Sequence, residues 1–156
     1  MINPYFWTLR RWLVVAACVL SMAPPTFSQT RTQESTSLDA LLRQSQAILI
    51  QIDTQDAAAV WAGASAIMRE SSKKDEFVAQ TARDRMRLGS ISSRMWQSIV
   101  YTSYADGNVQ QIPSGEYVNL NFIVLGASGQ ALKESISFRF EEGRWLMTGY
   151  ISQRVD

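Results

Sequence analysis

The chain has no histidine and only one cysteine, Cys18. Without histidine there is no Ser-His-Asp triad, and the commonest general base and metal ligand is missing. Charge of one sign is lacking too, because 15 basic residues stand against 14 acidic ones. That balance gives no electrostatic reason to bind nucleic acid or an anionic membrane. No glycine-rich phosphate loop occurs among the eight glycines. The one extended apolar run, Trp12 to Ala23, is shorter than the ~20 residues of a spanning helix.

That run reads as the core of a secretory signal. Met1 to Arg11 ends in Arg10-Arg11 and holds no acid, and Pro24-Pro25 breaks any helix after the apolar stretch. Thr26-Phe27-Ser28 then places small residues where a signal peptidase inspects them. The pattern predicts cleavage near Ser28/Gln29 and a periplasmic or secreted product. An uncleaved amphipathic anchor is the alternative. Val15-Ala16-Ala17-Cys18 resembles a lipoprotein box, but its apolar stretch continues beyond the cysteine instead of preceding it, so acylation of Cys18 is the lesser reading. The arginine pair also suggests twin-arginine export, yet TLRRWLV lacks the rest of that motif. Cleavage removes Arg10, Arg11 and Cys18, turning the formal charge from +1 to −1. The remaining domain has no disulfide, and its roughly 128 residues must be stabilised by burial. The expected organisation is a signal peptide over 1–28, a flexible polar lead-in over 29–36 and a single domain over 37–153.

From Thr36 the pattern becomes helical. Thr36 with Asp39 makes a start signal, and Leu38, Leu41, Leu42, Ile48, Leu49 and Ile52 share one face. Asp56 is placed to cap a second helix whose Val60, Trp61, Ala64, Ile67 and Met68 repeat the spacing. Ser72 with Asp75 opens a third, which Gly89 closes. Beyond Gly89 the period changes to two. Residues 90–104, 117–125, 131–141 and 145–153 read as strands, with a loop over 105–114 and turns at Gly126 to Gln130 and Glu142-Gly143. Three helices followed by four consecutive strands predict an α+β domain, with helices packed on one face of an antiparallel meander.

Several spacings have a bland explanation. Ser71 and Lys74 match Ser-x-x-Lys, but the other elements of penicillin-recognising enzymes are missing, so a capping serine and solvated lysines account for them. Asp53 and Asp56 are not surrounded by a calcium-loop pattern and read as a helix exit and entry. No metal site and no cofactor is expected.

Two charges do break the pattern. Stepped at about 100° per residue, the third helix puts Arg85 among Phe77, Val78, Thr81, Ala82 and Leu88. Gln80, Asp84, Arg83, Arg87 and Glu76 fall on the opposite, wet side. In the third strand Glu134 shares its face with Leu132, Ile136, Phe138 and Phe140. A buried charge needs a partner, so Arg85 and Glu134 are expected to pair at the seam between helix and sheet. Alternatively Arg85, with Arg94, binds an anion in a concave pocket. The last strand, with Gly149 in mid-run, suggests a bulge or bend. Strict alternation puts Trp145, Met147 and Ile151 on one face and Tyr150 on the other.

Taken in order, Arg85-Met86-Arg87-Leu88-Gly89, Arg94, Gly115-Glu116-Tyr117, Glu134, and Gly143-Arg144-Trp145 with Gly149-Tyr150 resemble the pattern of domain-of-unknown-function family 4019, a set of exported bacterial proteins. The resemblance covers about Leu38 to Ser152. Asp106 to Pro113 departs from the family's more proline-rich loop. The resemblance implies a cystatin-like, nuclear-transport-factor-like cone, with helices cupped by a curved sheet, and it brings no established activity. Gly89, Gly115, Gly143, Trp145 and Gly149 are then the structural signature. Arg85, Arg94, Glu134, Tyr117 and Tyr150 are the candidate pocket residues, and none of them is assigned a catalytic role.

The expected function is a non-catalytic periplasmic binding or protein-interaction domain. Its partner would be a small ligand in the cone or a protein, including a second copy, on the sheet face carrying Tyr117, Asn119, Asn121 and Ile123. The alternatives are a small isomerase- or hydrolase-like enzyme using Glu134 and a tyrosine, and a structural subunit of an envelope assembly.

Overall fold

The computed structural model describes residues 37–155, so the expected signal, Cys18 and the lead-in lie outside the described residues. Four helices precede four strands: α1 (Leu38–Asp53), α2 (Ala57–Gly63), α3 (Ala66–Ser71), α4 (Lys74–Leu88), β1 (Ile91–Tyr104), β2 (Gly115–Gly126), β3 (Ala131–Glu141) and β4 (Arg144–Arg154). Each strand pairs antiparallel with the next, giving the sheet order β1-β2-β3-β4. Among the described residues, no helix is long and apolar enough to cross a membrane.

The expected second helix is two helices. Its break falls at Ala64–Ser65, where Ser65 takes an extended backbone and its hydroxyl accepts from the Met68 N–H at 3.3 Å. The Ser65 N–H is also drawn away, donating to the Met147 carbonyl of β4 at 2.9 Å. A capping serine with a partner in the sheet outweighs the continuous apolar spacing. The first helix starts as its sequence suggests, although the side-chain cap comes from Ser37, which accepts from the Ala40 N–H. Asp56 occupies the N-cap of α2 without a side-chain capping bond.

The helices bury one face of the sheet. Leu41, Leu49, Ile52, Val60, Met68 and Phe77 meet Val118, Leu120, Phe122, Ile136, Phe138 and Met147 in the main cluster. A smaller cluster of Leu88, Val124 and Leu132, joined by Ile91, sits beyond it. Gly126 allows this second contact, because a Cβ there would collide with the Leu88 carbonyl. Along β3 the inward residues run Phe138, Ile136, Glu134 and Leu132, so Glu134 lies between the two apolar clusters.

Two turns explain signature glycines. Gly89 ends α4 at φ 71°, its N–H bonded to the Arg85 carbonyl at 3.0 Å. Glu142 and Gly143 both have positive φ, 50° and 80°, which suits the two-residue link between β3 and β4. Gly149 lies at a register shift: Ser137 pairs with Gly149 and Phe138 with Met147, leaving Thr148 extra. That bulge corrects the strict alternation expected for β4. It reverses the strand's parity, so Trp145 and Met147 point inward before it and Tyr150 points inward after it, while Ile151 is exposed.

Candidate functional site

The centre of the domain is a closed network of four charges. Asp53 is the last residue of α1, Arg85 lies one turn before the end of α4, Arg94 is on β1 and Glu134 on β3. Arg85 Nε donates to Asp53 Oδ1 at 2.7 Å, and its Nη2 is 2.5 Å from Glu134 Oε1 in a close ion pair. Arg94 clamps Asp53 with both terminal nitrogens, Nη1 to Oδ2 at 2.8 Å and Nη2 to Oδ1 at 2.9 Å. Its Nε donates to Glu134 Oε2 at 2.8 Å. The Tyr150 hydroxyl completes the set, donating to Glu134 Oε1 at 2.9 Å.

The expected Arg85–Glu134 pair is therefore present within a larger arrangement. Two cations and two anions alternate around it, and every carboxylate oxygen has a cationic or phenolic neighbour. Glu134 is 0% exposed, whereas Asp53 reaches the floor of a cleft of about 420 Å³ beside Gln55, Ala82 and Gly89. Arg94 similarly borders a smaller cleft of about 190 Å³ with Ile50 and Trp96. An incoming anion would have to displace Asp53 from a bidentate arginine, a strong form of charge-assisted hydrogen bond.

The electrostatics agree with mutual stabilisation. Burial would lower the Arg85 pKa, but Tyr150, Glu134 and Asp53 more than reverse it and the net shift is upward. Arg94 is also raised, with burial opposed by its hydrogen bonds and charges from Asp53 and Glu134. Burial, reinforced by the Glu134 charge, pushes the Tyr150 phenol well above the ordinary tyrosine range, despite the opposing influence of Arg85. Both guanidinium groups thus stay charged and the phenol keeps its proton.

Tyr117 does not join this group. It lies on the opposite face of the sheet, where it pairs with Arg139 across the strands. Its hydroxyl donates to the Pro113 carbonyl at 2.8 Å, its ring meets Tyr104 edge-on, and the Arg139 guanidinium lies over it at 5.9 Å. Burial raises its pKa, with Arg139 opposing. Only 8% exposed, Tyr117 does not offer the surface expected of it. The neighbouring Asn119 and Asn121 are also engaged, accepting from Ser137 and Ser135, while Asn121 donates to Ser98.

The signature residues serve the frame. Gly115, at φ 139°, leaves room for Arg139, whose Nη2 donates to the Ser114 carbonyl at 2.5 Å. Trp145 packs at a tilt against Phe140 and meets Tyr101 edge-on, while its carbonyl accepts from Gln44 Nε2 at 2.9 Å. Ser71 donates to the Met68 carbonyl, as a residue closing a helix does. Among the described residues, no group of three or more metal-ligating side chains is placed to hold an ion.

A family model described as "Protein of unknown function (DUF4019)" matches residues 44–150. The chain belongs to that family. A search of curated proteins returns no match to the chain. The DUF4019 match spans all four members of the network, and it stops at Tyr150, the hydroxyl that completes it.

Sequence reasoning missed Asp53, which it assigned to a helix exit. A signal was available. Asp53 lies four residues after Leu49 and is on the inward stripe of α1. With Arg85 and Arg94 both turned toward one inward acid, charge balance also called for a second carboxylate.

Proposed function

We propose that this DUF4019 domain is an exported, non-catalytic interaction module, released by cleavage near Ser28/Gln29 and built as a cystatin-like cone. On this reading the cone holds its own ion network in place of a substrate. Glu134 is engaged on both oxygens and Tyr150 holds its proton, so the pair is poorly suited to acid–base work near neutral pH.

The supporting observation is β1. This edge strand is 14 residues long and carries one charge, Arg94, which is turned inward. Exposed edges are ordinarily protected by charges or proline, and an uncharged one is a template for strand addition. Both faces of β1 add apolar area: Met95 is 54%, Trp96 47%, Val100 49% and Tyr101 55% exposed. Ile50 of α1, 59% exposed, flanks Trp96 across the small cleft. The occupant proposed is a second copy, since pairing β1 with β1 brings no like charges together. Sedimentation velocity over a concentration series tests this. The wild-type protein should dimerise, and Trp96→Asp with Val100→Asp should return it to monomer. A wild-type protein that stays monomeric at every concentration overturns the reading.

A further inference from the structure

A further cleft lies between α4 and the end of β4, away from β1 and beside the ion network. It measures about 530 Å³, within the range of small-ligand sites. Its floor is Asp84, which helical periodicity placed on the wet side of α4 but which is only 6% exposed. On either side of it along α4, Leu88 clusters with Leu132 of β3 and Phe77 meets Tyr150 of β4.

Asp84 is under-coordinated. Both its oxygens accept from one nitrogen, Gln80 Nε2, at 3.1 Å each. Arg87 Nη1 stands 3.9 Å away, beyond hydrogen-bond range, on a side chain that is 66% exposed. A carboxylate offers about four acceptor positions, and a buried one ordinarily fills them. The contrast with Asp53 and Glu134 is direct, because those acids are surrounded by arginine donors.

The walls supply the complementary groups. Leu132 pairs with Arg154 and Glu134 with Ser152, which puts the β4 residues on the helix-facing side of the sheet. The Arg154 side chain forms no ion pair among the described residues, and Ser152 Oγ is buried without a hydrogen bond. One acid short of donors thus faces two arginines and a free hydroxyl, with Leu132 as the apolar wall.

We propose that this cleft binds a free α-amino acid, with Asp84 taking the ammonium group and Arg154 the carboxylate. Arg87 adds a second cation, so the best-matched ligand carries one positive and two negative charges, which is the dicarboxylic class. Ser152 then donates or accepts at the head group, and the ligand's methylenes lie along Leu132. This site is independent of β1, so either proposal can fail without the other.

Isothermal titration of the purified protein with L-glutamate, L-aspartate, succinate and methylammonium, each alone, tests this site. A dicarboxylic amino acid should saturate it, with succinate and methylammonium at least about tenfold weaker, because succinate lacks the ammonium and methylammonium lacks both carboxylates. Asp84→Asn keeps the shape and the Gln80 bond but removes the charge. It should weaken glutamate by about tenfold or more and leave succinate unweakened. Arg154→Gln, a change at an exposed side chain that leaves folding unaffected, should weaken both. Absence of saturable binding by either amino acid up to about 10 mM overturns the proposal. So does succinate binding as well as glutamate with Asp84→Asn indifferent, which would mark a simple anion site.

Discussion

Replacing Glu134 by leucine removes a carboxylate that is 0% exposed and touches Arg85, Arg94 and Tyr150. The network would then hold two guanidinium groups and only Asp53. Breaking a buried ion pair by deleting one partner costs about 3–5 kcal/mol, mainly through the charge left unpaired. For a domain of this size ~4 °C of melting temperature corresponds to 1 kcal/mol, so the loss should be ~12–20 °C. Arg85→Met should cost a similar amount, because Glu134 and Asp53 each lose one cationic neighbour. The double variant should differ. It leaves Arg94 clamped on Asp53 in a neutral, bidentate pair, with two apolar side chains where two charges were. The double should therefore be more stable than the two single costs predict when added, by a coupling of about 1–3 kcal/mol. Urea unfolding measures all four proteins, with the stability change read from the midpoint while the slope stays constant. Strict additivity of the two single costs would refute the coupled network.

Three further changes probe the surrounding frame. Tyr150→Phe should cost about 1.5–3 kcal/mol by removing one hydrogen bond to a charged group. In the wild type the raised Tyr150 pKa means that the unfolded chain ionises first, so stability should be complete below pH ~10 and fall as pH rises from there toward the folded-state value. Urea midpoints between pH 8 and 12 for wild type and Tyr150→Phe check this, and parallel curves would refute it. Gly126→Ala should destabilise by about 1–3 kcal/mol through the clash with Leu88, whereas Gly63→Ala, with nothing within 4 Å, should stabilise by about 0.5–1 kcal/mol. Thermal melts of the two alanine variants should move in opposite directions.

What could be read from the sequence followed the strength of each local signal. β2 and β3 alternate cleanly and the turns carry glycine, so the meander order is as expected. Arg85 and Glu134 were visible because each interrupts an apolar face. The helix count was not legible, because the signal that splits α2 from α3 is a tertiary bond from Ser65 to Met147. Gly149 hinted at a bulge, but a hint does not say which residue is extra, and the answer decides where every later side chain points. Asp84 was misplaced for a related reason. A helical wheel marks the side of a helix away from its apolar stripe, whereas burial depends on what the sheet edge brings beside it.

The Thr148 bulge connects these observations. Without the extra residue, Tyr150 would face away from the helices and Glu134 would lose the hydroxyl on Oε1. Ser152, two residues further along, would turn with it, and the wall of the Asp84 cleft would change. One irregularity in β4 therefore sets both the self-neutralised network and the unbalanced cleft next to it. In the network each buried charge has been matched from within the chain, which fits a structural role. At Asp84 the matching is incomplete although cations stand at the rim, and a charged ligand would complete it. The difference in compensation between two acids on neighbouring helices, more than the fold they share, separates scaffold from candidate site.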